Sequence, residues 1–413
     1  MREKRSDQPI QQGSLTRIKA ALERLHFWLE EHDYRAYDTF DGLNARLLRP
    51  LTFNNPLLRI VLQQGVRRFP FNVRPFVGIS PERSTKGIGF MVRGFIRRYR
   101  SEGDVRWRVQ AEEMLAWLLR NQSPGYSGPC WGNHFDYQSR SVFEKAMSPS
   151  VVWTSLIGHA FLDAYDEFGD QKYLDTAIGA CRHIEQDLGA YQEGDAICIN
   201  YFPTSTHQVH NANTLGASLL ARTSSHTQND AWREWAGKAM LYAAKHQRED
   251  GSWYYGEASN LRWVDNFHTA YVLDCFHWYG ETADKERFDD QMMRGYWYWK
   301  TTFFLPDGTP RYYNHKTQPL DIQCCSQAID TLVLFRDRDP ESLLLALKVA
   351  HWTIENMQDR TGYFYYRRYS RHIVNKTPTM HWGEATMFSA LAGLVEALEQ
   401  TESLPSPFAT ATV

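Results

Sequence analysis

One loop pattern, a glycine followed by a short aromatic cluster, recurs five times along this chain. The loops read Gly128-Pro-Cys-Trp131, Gly194-Asp-Ala-Ile-Cys-Ile-Asn-Tyr201, Gly251-Ser-Trp253-Tyr-Tyr255, Gly308-Thr-Pro-Arg-Tyr312-Tyr313 and Gly362-Tyr-Phe364-Tyr-Tyr366. Their glycines lie 66, 57, 57 and 54 residues apart. Three loops follow a glutamine at the end of a helical segment: Gln122, Gln247 and Gln358. A repeat of this length is one supersecondary unit that cannot bury its apolar face alone, so neighbouring units must stack.

Between the loops lie paired amphipathic segments with apolar residues at helical spacing. Val151–Phe168 pairs with 171–188, 211–224 with 230–247, 265–279 with 284–301, and 321–335 with 340–358. An earlier unit spans 86–122. A last segment, 381–399, lacks a following partner, and the N-terminal segment 15–31 is placed to supply it. The first helix of most pairs is rich in Ala, Leu, Phe and Val and reads as inner; the second carries more charge and reads as outer. Six inner and six outer helices make an all-α (α/α)6 toroid with short β-like aromatic loops at one end. The expected domains are an N-terminal helix and Pro/Arg-rich extension over 1–85 wrapping the barrel, the barrel over 86–400, and a disordered tail over 401–413.

Composition narrows the class. The 413 residues carry 46 Lys+Arg against 48 Asp+Glu, a formal net charge of −2, which gives no long-range pull toward nucleic acid. Aromatic residues reach 14%, a surplus that the periodic loops locate near one end of the ring. No apolar run approaches the roughly 20 residues of a membrane span. Met1–Gln12 has no apolar core of a secretory signal, so a cytoplasmic protein is expected. Six cysteines without a CxxC pair read as buried free thiols. Neither a metal nor a cofactor is expected: HExxH, P-loop, GxGxxG and GxSxG patterns are all missing. Gln247–Trp253 fits the QxxxGxW pattern of triterpene cyclases, but without a DxDD acid it reads as hairpin packing.

The starts of the inner helices carry polar residues where a core helix would not want them: Thr154-Ser155, Asn211 and Asn213, Asp265-Asn266 with His268, Asp321, and His381-Trp382-Gly-Glu384. Buried without partners, such groups cost a few kcal/mol each, so their recurrence suggests a shared polar cleft. Helix capping alone accounts for Asn211, Asp265 and Asp321; it leaves His268, His381 and Glu384 unexplained. A second concentration is the long loop Trp131–Arg140, with Asp136 four residues before Arg140. Aromatic rings beside carboxylates and amides suit sugars. Two carboxylates across a cleft suit general acid/base attack on a glycosidic bond, and a His or Tyr base suits proton abstraction at C5 of a uronate.

The segment Trp263-Val-Asp265-Asn-Phe-His268-Thr-Ala-Tyr-Val-Leu273 resembles the six-hairpin glycosidases, in particular the unsaturated glucuronyl and rhamnogalacturonyl hydrolases. In those, an Asp at the start of an inner helix is the general acid/base. Met380-His-Trp382-Gly-Glu384 resembles their Trp-Gly stretch, departing at Glu384-Ala-Thr where they show Arg-Gly-Asn. Tyr37-Asp-Thr-Phe-Asp41-Gly-Leu, Asn72-Val-Arg-Pro-Phe-Val-Gly78 and the Trp131–Arg140 loop resemble a family encoded in cell-surface polysaccharide gene clusters. The leading expectation is a carbohydrate-active enzyme of cell-surface polysaccharide biosynthesis or processing that hydrolyses a glycosidic bond in a glycan, with or without uronate, with Asp136, Asp265 and Glu384 catalytic. Trp131, Arg140, Asn213, Trp253, Tyr255, His268, Asp321, His381 and Trp382 would bind substrate. The alternatives are a uronyl C5-epimerase or polysaccharide lyase, and a non-catalytic glycan-binding scaffold. Expected partners are an oligo- or polysaccharide, with glycosyltransferases or a second copy as protein contacts.

Overall fold

The computed structural model of the protein describes residues 7–139, 143–205 and 207–403. Thirteen α-helices dominate it. The first two are α1 (Asp7–Glu31) and α2 (Pro56–Arg68). They are followed by α3 (Thr85–Glu102), α4 (Val105–Arg120), α5 (Val151–Phe168), α6 (Gln171–His183), α7 (His210–Thr227) and α8 (Asp230–Lys245). The rest are α9 (Asn266–Thr282), α10 (Asp289–Thr302), α11 (Ile322–Leu334), α12 (Ser342–Met357) and α13 (Ala385–Ser403). Helices α3, α5, α7, α9, α11 and α13 each pack on the next, and α13 packs back on α3, closing an inner ring. Helices α4, α6, α8, α10 and α12 lie outside the partners they follow, and α1 packs on α13 as the sixth outer helix. The architecture is the expected (α/α)6 toroid.

Sequence dictates the element boundaries. Ser84, Ser150, Asp265 and Asp321 cap inner helices by accepting backbone N–H groups. Gly103 and Gly169 end α3 and α5 in the left-handed conformation. The two clearest repeat loops show why glutamine and glycine recur. Gln247 donates to the Gly251 carbonyl at 2.9 Å and to the Gln291 carbonyl of α10 at 2.8 Å. Gln358 donates to the Gly362 carbonyl and to the Ala21 carbonyl of α1, each at 2.9 Å. Each glutamine thus ties its loop to the next outer helix, and α1 takes the place that follows α12. Gly251 (φ +90°) and Gly362 (φ +118°) sit where a side chain would strike the Arg294 and Arg24 backbones. The QxxxGxW pattern is therefore hairpin packing.

Strands are few and short. The pairs are β1 (Tyr137–Gln138) with β2 (Phe143–Glu144), and β3 (Ala190–Glu193) with β4 (Ala196–Ile199). A three-stranded set joins β5 (Leu320–Asp321), β6 (Arg367–Arg368) and β7 (Val374–Asn375) and aligns Asp321 with Arg367. All six cysteines are buried and free. Among the described residues, no helix is long and apolar enough to cross a membrane. The expected tail beyond 403 lies outside the described residues.

Candidate active site

A cavity of about 830 Å³ opens where the inner helices begin. Four inner helices contribute, with Lys86 from α3, Trp153 from α5, Asn211 from α7 and His268 from α9; Pro319 just before α11, and His381 with Trp382 just before α13, complete the circuit. The aromatic loops add Tyr201, Tyr255, Tyr312 and Tyr313, and α2 adds Gln64, Arg67 and Arg68. Three of the five aromatic clusters and the polar helix starts at Asn211, His268 and His381 meet at this cavity.

Two imidazoles on this wall are each held by a carboxylate. His268 Nδ1 lies 2.7 Å from Asp265 Oδ2, which also accepts Trp263 Nε1–H at 2.8 Å. Asp265 Oδ1 takes the His268 backbone N–H at 3.0 Å, so one carboxylate both caps α9 and orients its first-turn histidine. His381 Nδ1 pairs with Asp38 Oδ2, and His381 Nε2, buried, has no protein partner. Burial pushes the His381 imidazole below its ordinary value against the pull of Asp38. Burial would raise the Asp38 carboxyl, but His381 and His134 hold it below the usual range. With Asp38 accepting from Nδ1–H, the lone pair of Nε2 is free for a proton.

The cavity is cationic. Burial lowers the Lys86 ammonium to about 8, opposed by Asp38; its Nζ stands 4.9 Å from the Trp153 ring centre and 5.9 Å from that of Tyr271. Arg67 donates from Nε to the Tyr366 hydroxyl at 3.0 Å and lies over Phe40. Arg367 donates from Nε to Asp321 Oδ2 at 2.7 Å. Among the described lining residues the one acid is Glu144, whose carboxyl is raised by burial.

The residues singled out from sequence divide. Tyr255, His268, His381 and Trp382 line the cavity. Tyr255 stacks on Trp263 at 4.6 Å and meets His268 at 4.5 Å. Asp265 and Asp321 lie just beneath, fully covered; Asp321 accepts Trp382 Nε1–H at 2.8 Å as well as Arg367. Asp265, with His268, Asn211 and Trp253, borders a separate space of about 10 Å³, roughly one water. Trp131 and Trp253 are core residues whose indoles donate to the Leu118 and Ala243 carbonyls. Asn213 links the Ile199 N–H to the Ala239 carbonyl and is fully buried. Glu384 is a core carboxyl that accepts the Phe364 N–H at 2.9 Å, and burial raises it well above its ordinary value. Asp136 pairs with Arg49 and accepts the Ala146 N–H at 2.8 Å, away from the cavity lining. Arg140 lies outside the described residues.

Asp38, Lys86 and Arg67 join the candidate residues only in the structure. Asp38 sits inside the Tyr37–Asp41 segment, whose resemblance is its signal in the sequence. Lys86, two residues into α3, repeats the pattern of a polar residue at an inner-helix start. One group among the described residues brings three possible ligand atoms within 4.8 Å of one another: His210, His246 and Glu257. Glu257 Oε1 is hydrogen-bonded to His210 Nε2 at 2.7 Å and lies 3.3 Å from His246 Nδ1, while His246 Nε2 meets Glu193 at 3.1 Å.

No known protein family and no curated protein matches this chain. Solved structures do. A cellobiose 2-epimerase from Bacillus thermoamylovorans is 12% identical with a TM-score of 0.61, over 77% of this chain and 88% of that one. A sugar epimerase from a ruminal bacterium is 12% identical with a TM-score of 0.60, over 80% and 91%. An unsaturated glucuronyl hydrolase specific for heparin is 12% identical with a TM-score of 0.56, over 77% and 86%. At such identities the likeness is one of fold: the chain is an (α/α)6 toroid, the architecture it shares with these epimerases and glucuronyl hydrolases.

Proposed function

We propose that this protein is a carbohydrate-active enzyme that moves a proton at C5 of a uronate residue in a glycan, as an epimerase or lyase. One observation carries the reading: two carboxylate-held imidazoles, His268 and His381, share a cationic, aromatic cavity. The C5 hydrogen of a uronate is α to its carboxylate, so its removal builds charge on that carboxylate. A nearby Lys86 ammonium with the Arg67 and Arg367 guanidiniums would stabilise that charge. His381 Nε2, neutral and unpartnered, is the base. Return of a proton to the opposite face from His268 gives the epimer. Expulsion of the C4 oxygen substituent, which leaves with a proton, gives an unsaturated uronate instead. Tyr255, Tyr313 and Trp382 supply ring faces for the sugar.

Hydrolysis is a second reading, favoured by the water-sized space beside Asp265 and by the shared fold of the glucuronyl hydrolase. The products separate the two. Incubation with a panel of uronate oligosaccharides gives near-ultraviolet absorbing ends for a lyase, a changed diastereomer for an epimerase, and new reducing ends alone for a hydrolase. Reducing ends alone would overturn the proton-transfer reading.

A further inference from the structure

We propose that the segment 45–78, built around α2, docks this protein on an anionic lipid bilayer, independently of the reaction it catalyses. Nine of the seventeen large hydrophobic residues exposed among the described residues fall between Leu47 and Phe76. They include Leu51, Phe53, Leu57, Val61 and Phe76, each more than 60% exposed. Exposed apolar side chains concentrated in one segment in this way point to an interaction site rather than ordinary surface scatter.

Helix α2 is apolar on both sides. Val66 is buried with Gln63, and Leu62 packs beside Val66, whereas Leu57, Leu58 and Val61 face solvent. Gln63 accepts the Gln138 backbone N–H at 3.1 Å. Just before α2, Phe53 is 81% exposed and adopts φ +48°, in the left-handed region that a bulky side chain rarely enters. Phe53 takes this conformation as the residue that ends a short 3-10 turn over Arg49–Thr52, and the turn leaves its ring in solvent.

Charge selects the phase. Residues 45–78 contain six arginines and no lysine, aspartate or glutamate, in a chain whose net charge is −2. Arg46 and Arg68 are exposed and Arg59 is half-buried, whereas Arg74 is engaged by the buried Asp41, Arg49 by Asp136 and Arg67 by the Tyr366 hydroxyl. An isologous contact with a second copy would set arginine against arginine. An apolar patch rimmed by arginines matches a bilayer with anionic headgroups, where the side chains inserted reach the acyl boundary and the guanidiniums reach the phosphates. The same helix lends Gln64, Arg67 and Arg68 to the cavity lining, so docking would set the cavity mouth at the headgroup level.

Flotation of the purified full chain with vesicles tests the proposal. Phosphatidylcholine vesicles containing phosphatidylglycerol should carry about tenfold or more protein than phosphatidylcholine alone, with the excess lost in high salt. The double variant Leu57→Glu/Val61→Glu, exposed and outside the cavity lining, should lose flotation while keeping its circular dichroism. Arg46→Gln should weaken binding to the anionic vesicles several-fold. Absence from both vesicle types would overturn the proposal in favour of a protein partner. So would flotation that the double variant leaves unchanged. A sedimenting dimer of the wild type that the double variant dissolves would assign the patch to a second copy.

Discussion

His381 and Asp38 stand 343 residues apart in sequence and meet as a buried imidazole–carboxylate pair on the cavity wall. Closure of the toroid makes that meeting possible, because the segment after α1 is laid against the start of α13. Tyr37 forms a bridge to Thr379, and the Met380 N–H bonds to the Tyr37 carbonyl at 2.8 Å. The pair dictates the first prediction. His381→Gln should lower kcat by about 10²–10⁴-fold, the usual contribution of a general base, with circular dichroism unchanged. Asp38→Asn, which removes the orienting charge, should lower kcat by less. Wild-type turnover in His381→Gln would remove this residue from the chemistry.

Asp265→Asn separates capping from catalysis. Asparagine caps helices as well as aspartate does, so thermal stability should hold within about 1 kcal/mol. The negative charge under His268 is lost, and kcat should fall by about tenfold or more. A large drop in Tm with kcat preserved would make the Asp265–His268 contact structural.

Lys86 predicts a pH dependence. Its ammonium is held at about 8, so it is charged below that pH and neutral above it. Binding of an acidic glycan should therefore weaken as pH rises through about 8, seen as falling kcat/KM, which reports groups of the free enzyme. Lys86→Met should bind the same glycan more weakly at pH 7, by about tenfold, and should show no inflection near 8. An unaltered pH profile in that variant would exclude Lys86 from substrate binding.

Glu384 predicts a stability change with a definite sign. Its folded-state pKa is raised by burial. Its contribution to stability is therefore complete below the unfolded value and is lost as pH rises toward the folded one. Glu384→Gln removes that penalty. The variant should melt higher than wild type at pH 8, with the difference disappearing near pH 4, and kcat should be unaffected. Loss of turnover in a folded Glu384→Gln protein would return this carboxyl to the active site.

Gly362→Ala tests the ring closure. At φ +118° the new methyl would meet the Arg24 carbonyl of α1, costing about 3 kcal/mol. An unchanged Tm would contradict the packing of α1 as the sixth outer helix.

Legibility in the sequence followed from how each feature is encoded. The ring was readable because its repeat is local: Gln247 with Gly251, and Gln358 with Gly362, lie four residues apart and make the same bonds. The cavity's position was readable because His268 and His381 break the apolar pattern of inner helices. The roles of individual residues were less so. Trp131 and Tyr255 belong to the same loop pattern, yet one seals the core and the other lines the cavity, and nothing in the local sequence distinguishes them. Glu384 and Asp265 both stand at inner-helix starts, but burial raises the pKa of one while an imidazole engages the other. Asp38 acquires meaning only when the ring closes.

Proton transfer at C5 by His381 is the central step, and hydrogen exchange measures it directly. A uronate oligosaccharide turned over in deuterated water should gain one deuterium at C5 or yield an unsaturated uronate end, read by mass spectrometry, and His381→Gln should do neither. Turnover that leaves C5 undeuterated and saturated, and in heavy-oxygen water places the label at a new reducing end, would contradict the account.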